Sequence, residues 1–317
     1  MRSRFRSPPL PVRGVCPVVE TPFTASGDLD EDGFIRVIDH VVEAGVAGVM
    51  FPGFASEYLA LTDGERDHLC RLLLDRTAGL PAFTRIISIP DHATLVAVAR
   101  ARTAIEMGAD AINLLPPHQL SPSADAVREH ILAVAAAVAP RPVILQYAPA
   151  LTGTALNARA ISDLASVATN LTEVKVESTP PGSLIAALAA QSPALPAAVG
   201  YAGVQMIDAF RRGAVGVQPG CSFVEIYQRI WQLWQRGDTA GAAALHTRLL
   251  PYISYWMQGV DLMVAAEKMI GWRRGWTASD HCRAPSRRLD AEERTMVDNF
   301  LEEFEDLLSI DPRRGAA

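Results

Sequence analysis

The residue best placed to do chemistry is a lysine inside an apolar strand. Glu173-Val174-Lys175-Val176-Glu177-Ser178 reads as a short β-branched run and its end. Strand side chains alternate, so Lys175 and Glu177 share one face and Val174 and Val176 take the other. Lysine is rarely buried without cause, and a buried ammonium is costly unless it is paired or neutral. Two readings follow. One is a buried ion pair with Glu177 or Glu20. The other is an amine that attacks a ketone to form a Schiff base, which requires the unprotonated form that burial favours. Glu177 then either pairs with Lys175 or orients and deprotonates it.

Other groups stand near the ends of neighbouring runs. Tyr147, in Leu145-Gln146-Tyr147-Ala148-Pro149, carries a phenol that can shuttle a proton. Taken alone, it reads more readily as a core tyrosine with a satisfied hydroxyl. Gly53-Phe54-Ala55-Ser56-Glu57 follows another run, and a glycine turn of this kind can aim backbone N–H groups at a small anion. Ser56 adds a hydroxyl, and Glu57 is expected to pin the loop through local N–H bonds. Gln218 ends a later run and either faces the site or serves as a structural amide. Cys221 just beyond it needs no role other than that of a small hydrophobe. Asp91-His92 reads as a helix cap.

The elements that must position these groups repeat one theme. Short apolar runs occur at Gly14–Glu20, Gly45–Phe51, Ala82–Ser88, Ala111–Leu115, Pro142–Gln146, Leu171–Val176, Ala197–Val199 and Ala214–Gln218. Between them lie stretches with a 3.6-residue period, capped by Asp30 or Asp32, Thr62, Ser123 and Asn157. Runs apolar at successive positions are buried on both faces, as in a parallel sheet. Eight such strands alternating with helices predict a (β/α)8 barrel over residues 14–222. A doubly wound sheet is disfavoured because no glycine-rich dinucleotide fingerprint follows the first strand. Residues 223–317 read as an all-helical extension. Its aromatics Tyr227, Trp231, Trp234, Tyr252, Tyr255 and Trp256 are expected to pack the helices on the barrel or on another subunit. Residues 1–13, with four arginines and three prolines, read as a flexible basic arm.

Composition narrows the function class. The 317 residues are 49% hydrophobic and 20% charged, which excludes a disordered chain. A net charge of −6 argues against a nucleic-acid partner. The apolar runs fall short of the roughly 18 residues that span a bilayer, so no membrane partner is expected. Four cysteines without a C-x-x-C pair point to a reducing cytoplasm and no structural metal.

Taken together, these pieces resemble the dihydrodipicolinate synthase / N-acetylneuraminate lyase family of Schiff-base lyases and aldolases. Thr21-Pro22-Phe23 looks like the family's first-strand end. Gly53-Phe54-Ala55-Ser56-Glu57 stands where the family has G-[ST]-T-G-E. Tyr147 with Pro149 and Gly153 looks like Y-x-x-P-x-x-x-G, one residue shorter. Lys175 stands at the Schiff-base lysine, and Gly200 and Gly216-Val217-Gln218-Pro219-Gly220 resemble the glycines of strands seven and eight. The resemblance spans roughly residues 13 to 308. It implies a 2-oxo acid substrate, usually pyruvate, bound to Lys175, with Tyr147 as proton shuttle. Backbone amides of Ala55 and Ser56 would hold the substrate carboxylate. It also implies no metal or diffusible cofactor, and a homodimer or homotetramer.

Departures bear on the substrate. Phe54 and Ala55 replace two hydroxyl residues, the first of which links a tyrosine relay in dihydrodipicolinate synthases proper. His118 stands nearest the relay tyrosine that the family supplies across a subunit contact; it either supplies acid–base chemistry or is a plain loop residue. Leu151 falls in the segment where those synthases carry an arginine for the aldehyde's carboxylate. These changes point away from lysine biosynthesis and towards a less polar second-substrate pocket. Three hypotheses remain. The first is an aldolase joining pyruvate and an aldehyde. The second is a dehydratase or hydratase of a 2-keto-3-deoxy acid using the same imine. The third is a non-catalytic binding barrel.

Overall fold

The computed structural model describes residues 11–117, 120, 122–153 and 156–308. Its strands are β1 (Gly14–Val15), β2 (Gly48–Phe51), β3 (Thr84–Ile89), β4 (Ala111–Leu114), β5 (Val143–Tyr147), β6 (Leu171–Val176), β7 (Ala197–Val199) and β8 (Gly216–Val217). All pair in parallel, in the order β1-β8-β7-β6-β5-β4-β3-β2. The ring closes just past β1, where Val18 bridges Met50 and the Met50 amide donates to Pro17 O at 2.9 Å.

Helices α1 (Glu31–Glu43), α2 (Asp63–Arg76), α3 (Thr94–Glu106), α4 (Ala124–Val138), α5 (Pro149–Thr152), α6 (Ala158–Val167), α7 (Gly182–Ala189) and α8 (Met206–Arg211) lie between the strands. After β8 come α9 (Val224–Gln235), α10 (Thr239–Trp256), α11 (Val260–Arg273) and α12 (Ala291–Glu303). The fold is a (β/α)8 barrel followed by a helical C-terminal region. Among the described residues no helix is long and apolar enough to cross a membrane.

Side chains of Asp30, Thr62, Ser123 and Asn157 accept amide hydrogens at the starts of α1, α2, α4 and α6, which satisfies donors a helix end leaves open. Asp91 and His92 do not cap α3, whose N-cap is Ala93. Asp91 instead pairs with Arg66 at 3.6 Å and Arg100 at 3.2 Å, because charge pairing uses its carboxylate before the helix begins.

Two layers fill the barrel. At its floor lie Val12, Cys16, Val18, Met50, Ile86, Ala111 and Ile144. Val12 belongs to this plug, and its amide donates to Glu173 Oε2 at 2.9 Å, so the described end of the expected arm is built into the barrel. Burial pushes the Glu173 carboxyl up to about 7. Two residues further along the strands the interior turns polar, with Ser88, Asn113, Gln146 and Lys175 all buried.

The aromatic residues of the extension join it to itself and to the barrel. Trp231 and Trp234 lie 5.3 and 5.5 Å from Phe210 of α8. Tyr227 stacks on Phe223 at 5.4 Å, and Trp256 meets Phe300 edge-on at 5.3 Å.

Candidate active site

Lys175 is 3% exposed and sits on the inner face of β6, at the base of a cleft of about 570 Å³ counting its mouth. Its Nζ stands 3.3 Å from Glu177 Oε1. Of the two carboxylates expected as partners, the fold therefore supplies Glu177 and not Glu20. Glu177 is held from several sides. Gln146 Nε2 donates to its Oε2 at 2.7 Å, and the Tyr201 amide donates to its Oε1 at 3.3 Å. Gln146 Oε1 accepts from Asn113 Nδ2 at 2.8 Å, and Asn113 also donates to Ser88 Oγ at 2.8 Å. A chain of neutral amides thus fixes the carboxylate against the amine.

The loop after β7 is shaped for this contact. Tyr201 and Ala202 both adopt positive φ, and the Tyr227 hydroxyl of α9 donates to Ala202 O at 2.7 Å. Gly200 does not line the cleft. A Cβ there would stand 2.4 Å from Glu177 Oε1, so its role is to leave room for that carboxylate.

Tyr147 is not in the cleft. Gln146 pairs with Lys175 and Tyr147 with Val176 in the sheet register, so Gln146 shares the interior face with the lysine. Tyr147 points outward into the strand–helix core, and its hydroxyl accepts the Leu156 amide at 3.1 Å. The missing residue in Tyr147–Pro149 carries the explanation. Counting the family spacing back from Pro149 lands on Gln146, and a one-residue offset in a strand changes the face. Tyr147→Phe should therefore keep turnover within about twofold, and lose about 1 kcal/mol of stability with the Leu156 bond. A hundredfold drop in steady-state rate would instead return the phenol to the mechanism.

The loop after β2 forms a 3₁₀ turn, Phe54–Ser56. Phe54 and Ala55 line the cleft. Their amides open the turn and so have no partner within it. Ser56 does not face the cleft as expected. Its hydroxyl donates to Val19 O at 2.5 Å and accepts the Gly53 amide at 2.9 Å, while its own amide donates to Gly53 O at 2.9 Å. Ser56 is fully committed to locking the loop onto the end of the first strand. Gly53 supports the same packing, since a Cβ there would lie 2.8 Å from Val18 Cγ1.

Glu57 pins the loop, but to distant chain rather than locally. Its carboxylate pairs with Lys268 of α11 and accepts the Arg283 amide at 3.0 Å. Lys268 Nζ and the Arg283 guanidinium both lie over one ring, Phe23, at 4.1 and 4.2 Å from its centroid. The C-terminal region thus clamps the site loop and the Thr21-Pro22-Phe23 turn together.

Gln218 lines the cleft, and Cys221 is buried behind it with Sγ accepting the Glu20 amide at 3.4 Å. His118 lies outside the described residues. Sequence reasoning missed Glu267, whose carboxylate also lines the cleft. Residues Leu262 to Gly271 of α11 are all buried, so the helix offers no polar face from which to pick it out.

Glu20 stands beside Glu267 and Glu57, with neither carboxyl oxygen hydrogen-bonded among the described residues. Burial, then the neighbouring Glu267 charge, push its carboxyl from 4.5 up to about 8. The folded protein therefore holds a proton there that the unfolded chain releases above about pH 4.5. On this group's account stability is full below that pH and is lost as pH rises towards 8. Glu20→Gln should flatten the loss, read as denaturation midpoints at pH 5 and pH 8. Parallel midpoints for variant and wild type would contradict the assignment.

The cleft thus places a lysine amine against a carboxylate near the mouth-facing end of a barrel strand. Residues 11–304 match the dihydrodipicolinate synthetase family, and the chain belongs to it. It is 29% identical to L-2-keto-3-deoxyarabonate dehydratase of Azospirillum brasilense, over 89% of this chain and 91% of that one. It is 31% identical to 4-hydroxy-tetrahydrodipicolinate synthase of Moorella thermoacetica, over 73% of this chain and 78% of the other. Among solved structures it superimposes on YagE, a prophage protein of the dihydrodipicolinic acid synthase family from E. coli K12 in complex with pyruvate. That match has a TM-score of 0.84 at 25% identity, covering 93% of this chain and 99% of the other.

Proposed function

We propose that the chain is a Schiff-base lyase acting on a 2-oxo acid, with Lys175 as the imine-forming amine and Glu177 as its proton acceptor and donor. The observation that carries this reading is the buried Lys175 amine 3.3 Å from Glu177 at the base of the cleft. Glu177 takes a proton from Lys175, the free amine adds to the C2 carbonyl, and Glu177 returns that proton to the carbinolamine hydroxyl, which leaves as water to give the iminium and restores the carboxylate. The substrate carboxylate sits on the Phe54 and Ala55 amides. This revises the expected Ala55–Ser56 pair by one residue, because the Ser56 amide is already bonded to Gly53 O. Glu177 then accepts the C3 proton, and the iminium draws the electrons into an enamine.

Such an enamine can follow cleavage of C3–C4, as in an aldolase, or can expel a hydroxyl from C4, as in a dehydratase. The near full-length likeness to a 2-keto-3-deoxy acid dehydratase supports the second. So does the inward Gln146 where the spacing of the family motif calls for tyrosine, since a phenol is the natural base for the C4 hydroxyl in aldol cleavage. The test is to incubate the enzyme with a panel of 2-keto-3-deoxy acids and assay released pyruvate against dehydrated 2-oxo product. Dehydrated product without pyruvate is expected. Pyruvate as the main product assigns the aldolase reaction. Folded protein that consumes none of the panel and gives no borohydride-trapped adduct with any 2-oxo acid refutes the lyase reading.

A further inference from the structure

We infer that Glu267 and Gln218 form a polar wall of the Lys175 cleft that binds the C4 hydroxyl of the substrate, with Glu267 donating the proton on which that hydroxyl leaves as water. The inference rests on the Schiff-base reading above and extends it to a second carboxyl group.

Both residues line the cleft. Gln218 is 2% exposed, yet neither its Nε2 nor its Oε1 has a hydrogen-bond partner among the described residues. Leaving buried polar atoms unpaired costs roughly 1–3 kcal/mol each, so the missing partner is expected from a ligand. A carboxamide offers one donor and one acceptor side, and a hydroxyl answers either. Glu267 is 3% exposed and differs between its two oxygens. Oε2 accepts from the Cys221 amide at 3.0 Å, the Ser222 amide at 3.1 Å and Ser222 Oγ at 2.5 Å. Oε1 has no hydrogen-bond partner among the described residues and occupies the space a side chain at residue 220 would need, since a Cβ on Gly220 would lie 1.9 Å from it. Gly220 itself lines the cleft. One oxygen is therefore anchored in the fold and the other is left open.

Burial raises the Glu267 carboxyl, against the pull of its three donors. The nearby cation does not offset this, because Lys268 Nζ is committed to Glu57 and to His281 O. Glu177 and Glu267 thus differ in surroundings, one against an ammonium and one held by neutral donors next to the Glu20 carboxyl, where a second negative charge is disfavoured. Such a pair divides into base and acid.

The step balances as follows. With C2 held as the Lys175 iminium, Glu177 takes the C3 proton and that C–H pair becomes the enamine. The enamine pair moves to C3–C4, the C4–O bond breaks, and the departing oxygen takes the Glu267 proton as water. Hydrolysis of the conjugated imine releases Lys175, and solvent returns the proton from Glu177 to Glu267. The net change is loss of one water, with no oxidant or reductant.

The test uses the full chain with 4-hydroxy-2-oxopentanoate and 2-oxopentanoate. On wild type, the hydroxy acid should compete with pyruvate for borohydride trapping at least about tenfold better, because the wall is built to meet a hydroxyl. Equal competition overturns the proposal, and this arm needs no variant to fold. Glu267→Gln should still trap pyruvate on Lys175 while dehydration of the hydroxy acid falls on the order of a hundredfold or more. Unchanged dehydration overturns the proposal, as does loss of pyruvate trapping together with turnover. A wild type that traps neither acid refutes the Schiff-base reading itself, a result distinct from a trapping enzyme that ignores the hydroxyl.

Discussion

Lys175→Ala, incubated with pyruvate and borohydride, should remain at its unmodified mass, while the wild type gains one reduced adduct that peptide analysis places on Lys175. Turnover should fall by roughly 10⁴-fold or more, the scale on which removal of a covalent nucleophile acts. Among the described residues that line the cleft, the Lys175 amine is the group able to add to a carbonyl and hold positive charge while a proton leaves the adjacent carbon. Removing it also leaves Glu177 buried without its cation. Gln146 Nε2 and the Tyr201 amide still donate to that carboxylate, so the variant should fold with a lower melting temperature. A folded Lys175→Ala protein that still forms the adduct would place the imine elsewhere.

Glu177→Gln should lower kcat by about 10²- to 10⁴-fold, the usual contribution of a positioned proton-transfer group. The amide fills the same volume but cannot take the C3 proton, so the loss should fall mainly on kcat, with KM changed much less. A second route to the same group avoids touching its chemistry. Gly200→Ala places a Cβ 2.4 Å from Glu177 Oε1 and 2.5 Å from Cγ, which forces the carboxylate off Lys175. Both variants should still trap pyruvate with borohydride, more slowly than wild type. If Glu177→Gln keeps kcat within about fivefold, the base must be sought elsewhere on the cleft wall.

The barrel was legible because its cause is local and periodic. Eight doubly apolar runs spaced by amphipathic stretches leave few architectures open, and the caps at Asp30, Thr62, Ser123 and Asn157 mark where helices begin. Lys175 was legible for a related reason, since a lone cation in an apolar strand must be explained. Tyr147 shows the opposite case. Residue type and approximate spacing placed it at the site, but a strand reverses the facing of its side chains at every residue. The register Gln146 with Lys175 decides the matter.

Ser56 and Glu57 lie in the loop whose Phe54 and Ala55 line the cleft, but their partners, Val19 O and Lys268, are distant in the chain. Hydrogen-bond partners of that kind leave no trace in local spacing.

The sequence by itself determined the fold class, the family, and a strand and a loop that line the cleft, because each follows from patterns within a few residues. Only the tertiary structure decided which groups meet in the cleft. It turned Tyr147 outward and brought Gln146 to Glu177. It also carried Glu267 in from a helix buried throughout most of its length, where no periodicity distinguishes one residue from the next. The physical reason is that burial and facing depend on which surfaces pack together, and that is settled between elements and not within them.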